Sequence, residues 1–143
     1  MIVAVCVGNE NGVAFNGRRL SRDRAQQADL LALCGEGRLW VDAFSAPLFA
    51  DHAERLRVSA DFLEQAGEKE ICFVENRPLR PFLHRMEGLV LYRWNRAYPS
   101  DVRLDVDVEA DFVLTQQRDF PGSSHRRITR EIYKRRENHG ENT

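Results

Sequence analysis

Short runs of apolar, β-branched residues alternate with segments of helical spacing along most of the chain. The first run, Ile2–Val7, ends in a turn that contains Gly8 and Gly12. A continuous apolar run of this length, bounded by turn residues, is typical of a strand that is buried on both faces. Similar strands are predicted over residues 38–44, 71–74 and 89–94. Buried strands that alternate with helices favour a mainly parallel sheet covered on both faces.

The helical segments have recognisable start and stop signals. The first is predicted over residues 21–34, with Ser21 as the N-cap and Gly35 as the stop signal. Others are predicted from Ser45 onward, over residues 59–67 and over residues 78–86. Residues 101–110 alternate strictly between apolar and charged side chains, which predicts a half-buried extended segment.

The predicted fold class is therefore α/β, with a three-layer, mainly parallel sheet and helices on both faces. Two closing strands, residues 112–115 and 128–133, are expected to form a C-terminal antiparallel hairpin. The length of 143 residues fits one domain, predicted over residues 1–136, with a frayed tail over residues 137–143.

Composition limits the location and the partners of the protein. No apolar run approaches the roughly 20 residues of a membrane span, and the first residues lack the pattern of a secretory signal. The three cysteines form no C-x-x-C pair, and the net charge of −1 gives no overall field for nucleic acid. We expect a cytoplasmic protein without membrane association, and the sequence leaves its oligomeric state open.

The order and wording of several segments carry a family resemblance. The first strand leads into Gly-Asn-Glu-Asn-Gly-Val at residues 8–13, and Leu-Ser-Arg-Asp at residues 20–23 precedes the first helix. These segments resemble the first strand, the flexible loop and the Leu-Pro-x-Asp/Glu helix start of dihydrofolate reductase. The resemblance extends over nearly the whole chain, with a deletion in the middle. It implies the dihydrofolate reductase fold and places Asp23 at the family's substrate-binding acid.

The chain departs from that family where the cofactor would be bound. The family's glycine pair lets a helix N-terminus approach the cofactor pyrophosphate, because no Cβ intervenes and N–H groups face the anion. The matching stretch here is Val-Glu-Asn at residues 74–76. The family's Gly-Arg-x-Ser/Thr grip is matched by Asp-Ala-Phe-Ser at residues 42–45, which retains only the Ser45 hydroxyl. We therefore predict no cofactor, and NADPH only if the protein is a divergent reductase.

Asp23 is the predicted catalytic residue. Its carboxylate could accept two hydrogen bonds from an amidine-like ring edge and share a proton with it. The alternative is a first-turn carboxylate that interacts favourably with the helix dipole.

The predicted ligand-binding residues complete a cleft around Asp23. The arginines among them favour an anionic ligand but could instead be solvated loop charges. Strand alternation places Tyr92 and Trp94 on one face and Arg93 on the other, so one of these faces is core. No metal site is predicted. The predicted set is Asn9, Arg18, Arg19, Arg22, Ser45, Tyr92, Arg93 and Trp94.

Two C-terminal motifs have simple structural interpretations. Ser123, Ser124 and His125 combine hydroxyls with an imidazole, but adjacent residues seldom have catalytic geometry, and no orienting acid is implied. The basic cluster could contact phosphates or could protect an exposed edge strand with charge. Its members are Arg126, Arg127, Arg130, Lys134, Arg135 and Arg136.

The leading functional hypothesis is a small-ligand-binding protein of dihydrofolate reductase-like fold that has lost NADPH binding. Its ligand would be anionic or heteroaromatic, in a cleft bounded by Asn9, Asp23, Ser45 and Arg93. One alternative is a divergent NADPH-dependent reductase that uses Asp23 to orient a pteridine. Another is an RNA-binding or RNA-cleaving protein of ribonuclease Z type. The metal motif of that enzyme is absent, because the four histidines of this chain are not spaced as metal ligands. They are His52, His84, His125 and His139.

Overall fold

A computed structural model describes residues 1–137, and ten strands in them form two sheets. The strands are β1 Ile2–Val7, β2 Gly12–Phe15, β3 Arg18–Arg19, β4 Leu39–Val41, β5 Leu56–Val58, β6 Ile71–Phe73, β7 Gly88–Arg93, β8 Val102–Arg103, β9 Phe112–Phe120 and β10 Ile128–Arg135. The helices are α1 Arg24–Leu33, α2 Phe62–Gln65 and α3 Val108–Asp111, with 3-10 helices over Ala46–Arg55 and Arg80–Arg85.

The larger sheet has seven strands in the order β5-β4-β6-β1-β7-β10-β9. The five strands from β5 to β7 pair in parallel. β10 pairs antiparallel with both β7 and β9. The prediction of a mainly parallel sheet with a C-terminal antiparallel hairpin is confirmed. β3, β2 and β8 form the small second sheet.

Apolar side chains cover both faces of the large sheet. On one face, Leu30 and Leu31 of α1 pack with Phe49 of the first 3-10 helix. On the other face, Phe62 and Leu63 of α2 belong to a second core cluster. Burial of several large apolar side chains on each face is the main force that holds the helices on the sheet.

Several predicted boundaries and element types are wrong. Asp23, rather than Ser21, is the N-cap of α1, and both longer segments that begin near a proline are 3-10 helices. Residues 101–110 contain only the two-residue strand β8 and the start of α3. The closing strand predicted over residues 112–115 extends through Phe120.

Two further predictions concern membrane association and the C-terminal tail. None of the helices within residues 1–137 is both long and apolar enough to cross a bilayer. The predicted frayed tail lies outside the described residues except for Glu137.

Candidate functional site

Asp23 is a buried carboxylate that joins the start of α1 to the loop between β9 and β10. It is 2% exposed, and its Oδ1 accepts hydrogen bonds from the backbone N–H groups of Ala25 (2.8 Å) and Gln26 (3.2 Å). Oδ1 also accepts from the N–H of Ser123 at 3.0 Å, and Oδ2 accepts from the N–H of Ser124 at 2.8 Å. Both oxygens are therefore bound by the protein itself.

Hydrogen bonding decides the protonation of Asp23. Burial alone raises the pKa of this carboxyl, but the backbone N–H of Ser123, the His125 side chain and further backbone N–H groups hold its pKa well below the usual range. These donors favour the charged form, because each satisfies a lone pair of the anion. Asp23 is therefore an ionised acceptor at neutral pH.

His125 connects Asp23 to two hydroxyl groups. Its Nδ1 lies 3.0 Å from Asp23 Oδ2. Its Nε2 lies 2.9 Å from Ser21 Oγ and 3.1 Å from the hydroxyl of Tyr98. The ring stacks on Trp94 with centroids 4.4 Å apart and an interplanar angle of 18°. The imidazole, which is 6% exposed as a residue, is thus held on its face and at both nitrogens.

Gly122 lets the loop between β9 and β10, the hairpin loop, approach the cluster of Asp23 and His125. A Cβ at this position would lie 2.6 Å from Asp23 Oδ2 and 2.7 Å from the backbone oxygen of His125. Neither contact is tolerable for a carbon atom, so the loop needs glycine here.

A second polar cluster surrounds Glu75, which follows β6. The Arg19 guanidinium donates to both Glu75 oxygens, at 2.8 and 2.9 Å. The hydroxyl of Ser45 donates to Glu75 Oε1 at 2.8 Å, and Phe44 stacks against the guanidinium of Arg19 at 4.6 Å. Two predicted ligand-binding residues, Arg19 and Ser45, are therefore engaged by the carboxylate of Glu75.

A third carboxylate, that of Asp105, lies at the start of the second 3-10 helix. Its oxygens accept from the backbone N–H of Leu79 at 2.9 and 3.1 Å, and from that of Arg80 at 3.0 Å. These N–H groups have no partner within a helix because they lie in its first turn. Asp105 thus supplies from within the chain the anion that such a helix start attracts.

A cleft of about 600 Å³ lies between α1 and the first 3-10 helix. Its apolar wall includes Leu48 and Phe49, and Ala28 of α1 lines it as well. Arg22 and Arg24 line the same cleft, and so does the carboxylate of Asp51, so charges of both signs face it. Of the predicted site residues, Asp23 and Arg22 lie here.

The other predicted residues have different surroundings. Tyr92 is fully buried, and its hydroxyl donates to Asp29 Oδ2 at 2.6 Å, so this side chain belongs to the core. Arg93 donates to Glu131 at 2.7 Å and to Asn11 at 3.0 Å. Trp94, 2% exposed, stacks on His125 as described. Asn9 and Arg18 are exposed, and as ligand-binding residues they stay predictions.

The basic cluster after the hairpin loop is not a continuous solvated surface. Arg130 is 7% exposed and binds Asp29. Arg135 donates to the backbone oxygen of Leu83 at 2.5 Å. These two guanidinium groups serve internal contacts, which leaves fewer charges to meet a phosphate backbone.

No family model matches the chain, and no curated protein matches it. Among solved structures, it is similar to dihydrofolate reductase from Enterococcus faecalis complexed with NADP(H) and RAB-propyl. The TM-score is 0.64 at 8% sequence identity, over 96% of this chain and 97% of that chain. The comparison establishes a dihydrofolate reductase-like fold.

Proposed function

We propose that this protein binds a small anionic or heteroaromatic ligand in the cleft between α1 and the first 3-10 helix, and that it does so without NADPH. The observation that carries the proposal is that groups able to hold a phosphate are already bound by carboxylates of this chain. Asp105 accepts from the N–H groups of Leu79 and Arg80, and Glu75 accepts from Arg19 and Ser45. The open cleft, in contrast, retains apolar surface and two arginines, Arg22 and Arg24.

The residues do not fit the cofactor named with the similar structure. A pyrophosphate at the start of the second 3-10 helix would compete with Asp105 for the N–H groups of Leu79 and Arg80. It would also approach Glu75, which already engages Ser45. The Arg19 guanidinium, which could otherwise meet a phosphate, is held by the same Glu75 carboxylate. We therefore derive no reaction step through a nicotinamide.

The first prediction concerns NADPH itself. Isothermal titration of the protein with NADPH is expected to show a dissociation constant no tighter than about 1 mM, or about −4 kcal/mol of binding free energy. The reason is that Asp105 occupies the N–H groups of Leu79 and Arg80, and Glu75 holds Arg19 and Ser45. A dihydrofolate reductase run in parallel verifies the assay, and a micromolar constant for this protein would contradict the proposal.

The reductase and RNA alternatives gain no support from the same contacts. The oxygens of Asp23 are bound by backbone N–H groups and by His125, so the carboxylate has little capacity left to orient a pteridine ring. Arg130 and Arg135, two members of the basic cluster, make internal contacts. The open cleft is thus the better candidate for ligand binding.

The cleft has the size of a small-molecule site. Its volume of about 600 Å³ lies within the range of roughly 300–1,000 Å³ for such sites. Pro47 and Leu48 offer apolar surface to a planar ring, while Arg22 and Arg24 offer charge to a carboxylate or a phosphate. An aromatic carboxylate satisfies both surfaces at once.

A substitution that fills this cleft is expected to abolish ligand binding. Ala28 is exposed on α1 and lines the cleft, so Ala28→Trp occupies the space without disturbing the core. In a thermal-shift panel of benzoate, pterin-6-carboxylate and inorganic phosphate, we expect at least one compound to raise the melting temperature of the wild type and not that of Ala28→Trp. Ala110→Trp, at an exposed position of α3, is the matched control and retains the shift. An equal shift in both variants would place the ligand elsewhere.

A further inference from the structure

We propose that Ser21 is an acyl-accepting nucleophile, activated by His125 as general base and directed at short-chain acyl esters. The three side chains Ser21, His125 and Asp23 form one hydrogen-bonded chain, with Oγ to Nε2 at 2.9 Å and Nδ1 to Oδ2 at 3.0 Å. A hydroxyl, an imidazole and an orienting carboxylate in this order are the parts of a serine nucleophile. In this arrangement Asp23 is a positioning residue.

Two segments that are distant in sequence bring these side chains together. Ser21 lies in the loop before α1, Asp23 caps α1, and His125 comes from the loop between β9 and β10. The loop itself is fixed, because Asp23 accepts from the N–H groups of Ser123 and Ser124. The geometry is therefore held by backbone contacts and does not depend on chance side-chain positions.

The charge of Asp23 determines which nitrogen of His125 carries the proton. Because Asp23 is ionised, it can only accept, so Nδ1 must be the N–H donor to Oδ2. In the neutral ring Nε2 is then the acceptor, and it faces the hydroxyls of Ser21 and Tyr98. This is the tautomer in which an imidazole can take a proton from Ser21.

Of the three hydrogen-bonded residues Ser21, His125 and Asp23, Ser21 is the most accessible. Ser21 is half-buried, whereas Asp23 and His125 are buried. Beside Ser21 lies a gap of about 10 Å³, which Arg19, Glu75 and Ser21 help to line. A space of this size holds about one water molecule, so it can take the water that hydrolyses the acyl-serine but not a long acyl chain.

The proposed reaction balances without a cofactor. Ser21 Oγ attacks the ester carbonyl carbon while His125 Nε2 takes the hydroxyl proton, and Asp23 stabilises the imidazolium. The tetrahedral intermediate collapses, the bond to the alcohol oxygen breaks, and His125 returns the proton to that leaving group. Water then attacks the acyl-serine with the same base, which releases the carboxylic acid and restores Ser21.

The test is covalent labelling of the full chain. A fluorophosphonate probe is expected to add to one residue, which peptide mass spectrometry locates at Ser21, and p-nitrophenyl acetate is expected to be hydrolysed above the buffer rate. Ser21→Ala should lose the adduct and lower hydrolysis by more than about 100-fold, the range of an activated nucleophile. Ser59→Ala, at a serine outside the cluster, should retain both.

The pH dependence separates a positioning role of Asp23 from a structural one. In Asp23→Asn, shown to be folded by circular dichroism, loss of the anionic partner destabilises the imidazolium, so the midpoint of the rate–pH profile shifts to lower pH. A folded wild type that takes up no probe at Ser21, or a Ser21→Ala variant that labels normally, overturns the proposal. Neither result bears on ligand binding in the α1 cleft, which is tested by Ala28→Trp.

Discussion

Replacing Arg130 by alanine is expected to lower the free energy of unfolding by about 3–5 kcal/mol, the cost of leaving a buried charge without its partner. Arg130 donates to both oxygens of Asp29, at 2.9 and 3.0 Å, and to Gln116 at 2.8 Å. Tyr92 donates to the same carboxylate. Without the guanidinium, Asp29 keeps a negative charge in a largely buried site and only a neutral hydroxyl to stabilise it.

Equilibrium unfolding in urea measures this loss, with Arg127→Ala as the matched control. Arg127 lies 3.9 Å from Asp119, and both side chains are more than half exposed. Exposed pairs contribute about 0–1 kcal/mol, so this control should unfold nearly as the wild type does. Equal effects of the two substitutions would show that the contacts among Arg130, Asp29 and Tyr92 do not form a stabilising network.

The parts of the fold that the sequence predicts well are those in which burial dictates the residue type. β1 and β7 are buried on both faces, which leaves an apolar run that no other element of that length explains. The C-terminal hairpin was also predictable from its two flanking runs. In these elements local pattern and tertiary environment agree.

The alternating segment at residues 101–110 shows why pattern alone fails elsewhere. Its acidic residues are not the wet face of a strand. Asp105 binds the backbone N–H groups of Leu79 and Arg80, and Asp107 caps α3 by accepting from Ala110 at 3.0 Å. Asp105 thus caps a distant helix and Asp107 a local one. Acidic residues that cap helices can follow the same alternating pattern as acidic residues on the exposed face of a strand, so the pattern does not distinguish them.

In the candidate site, too, the sequence predicts individual residues but not the contacts between residues that are distant along the chain. The resemblance singled out Asp23, but its contact with His125 spans 102 residues, and no local signal indicates it. For the same reason the sequence implied no orienting acid for Ser123, Ser124 and His125. The Glu75 contacts are also distant in sequence. The one sign of these contacts in the sequence was an acidic residue, Glu75, directly after the buried strand predicted over residues 71–74.

Substituting Asp23 by asparagine is expected to destabilise the protein by about 2–4 kcal/mol at neutral pH. Asparagine has one acceptor oxygen and one NH₂ group, so whichever side the NH₂ group occupies meets N–H donors that the carboxylate accepts. Unsatisfied buried donors cost about 1–3 kcal/mol each. The N-cap of α1 is weakened at the same time.

The pH dependence of this loss has a defined sign. The pKa of Asp23 is lower in the folded protein than in the unfolded chain, where it is about 3.9. The stabilisation by the charged form is therefore complete above about pH 5 and declines as the pH falls, by roughly 1.3 kcal/mol at pH 3. Urea unfolding of the wild type and Asp23→Asn at both pH values should show their difference shrinking by that amount. A difference that stays constant, or grows on acidification, would mean that the ionised carboxylate is not what binds the hairpin loop to α1.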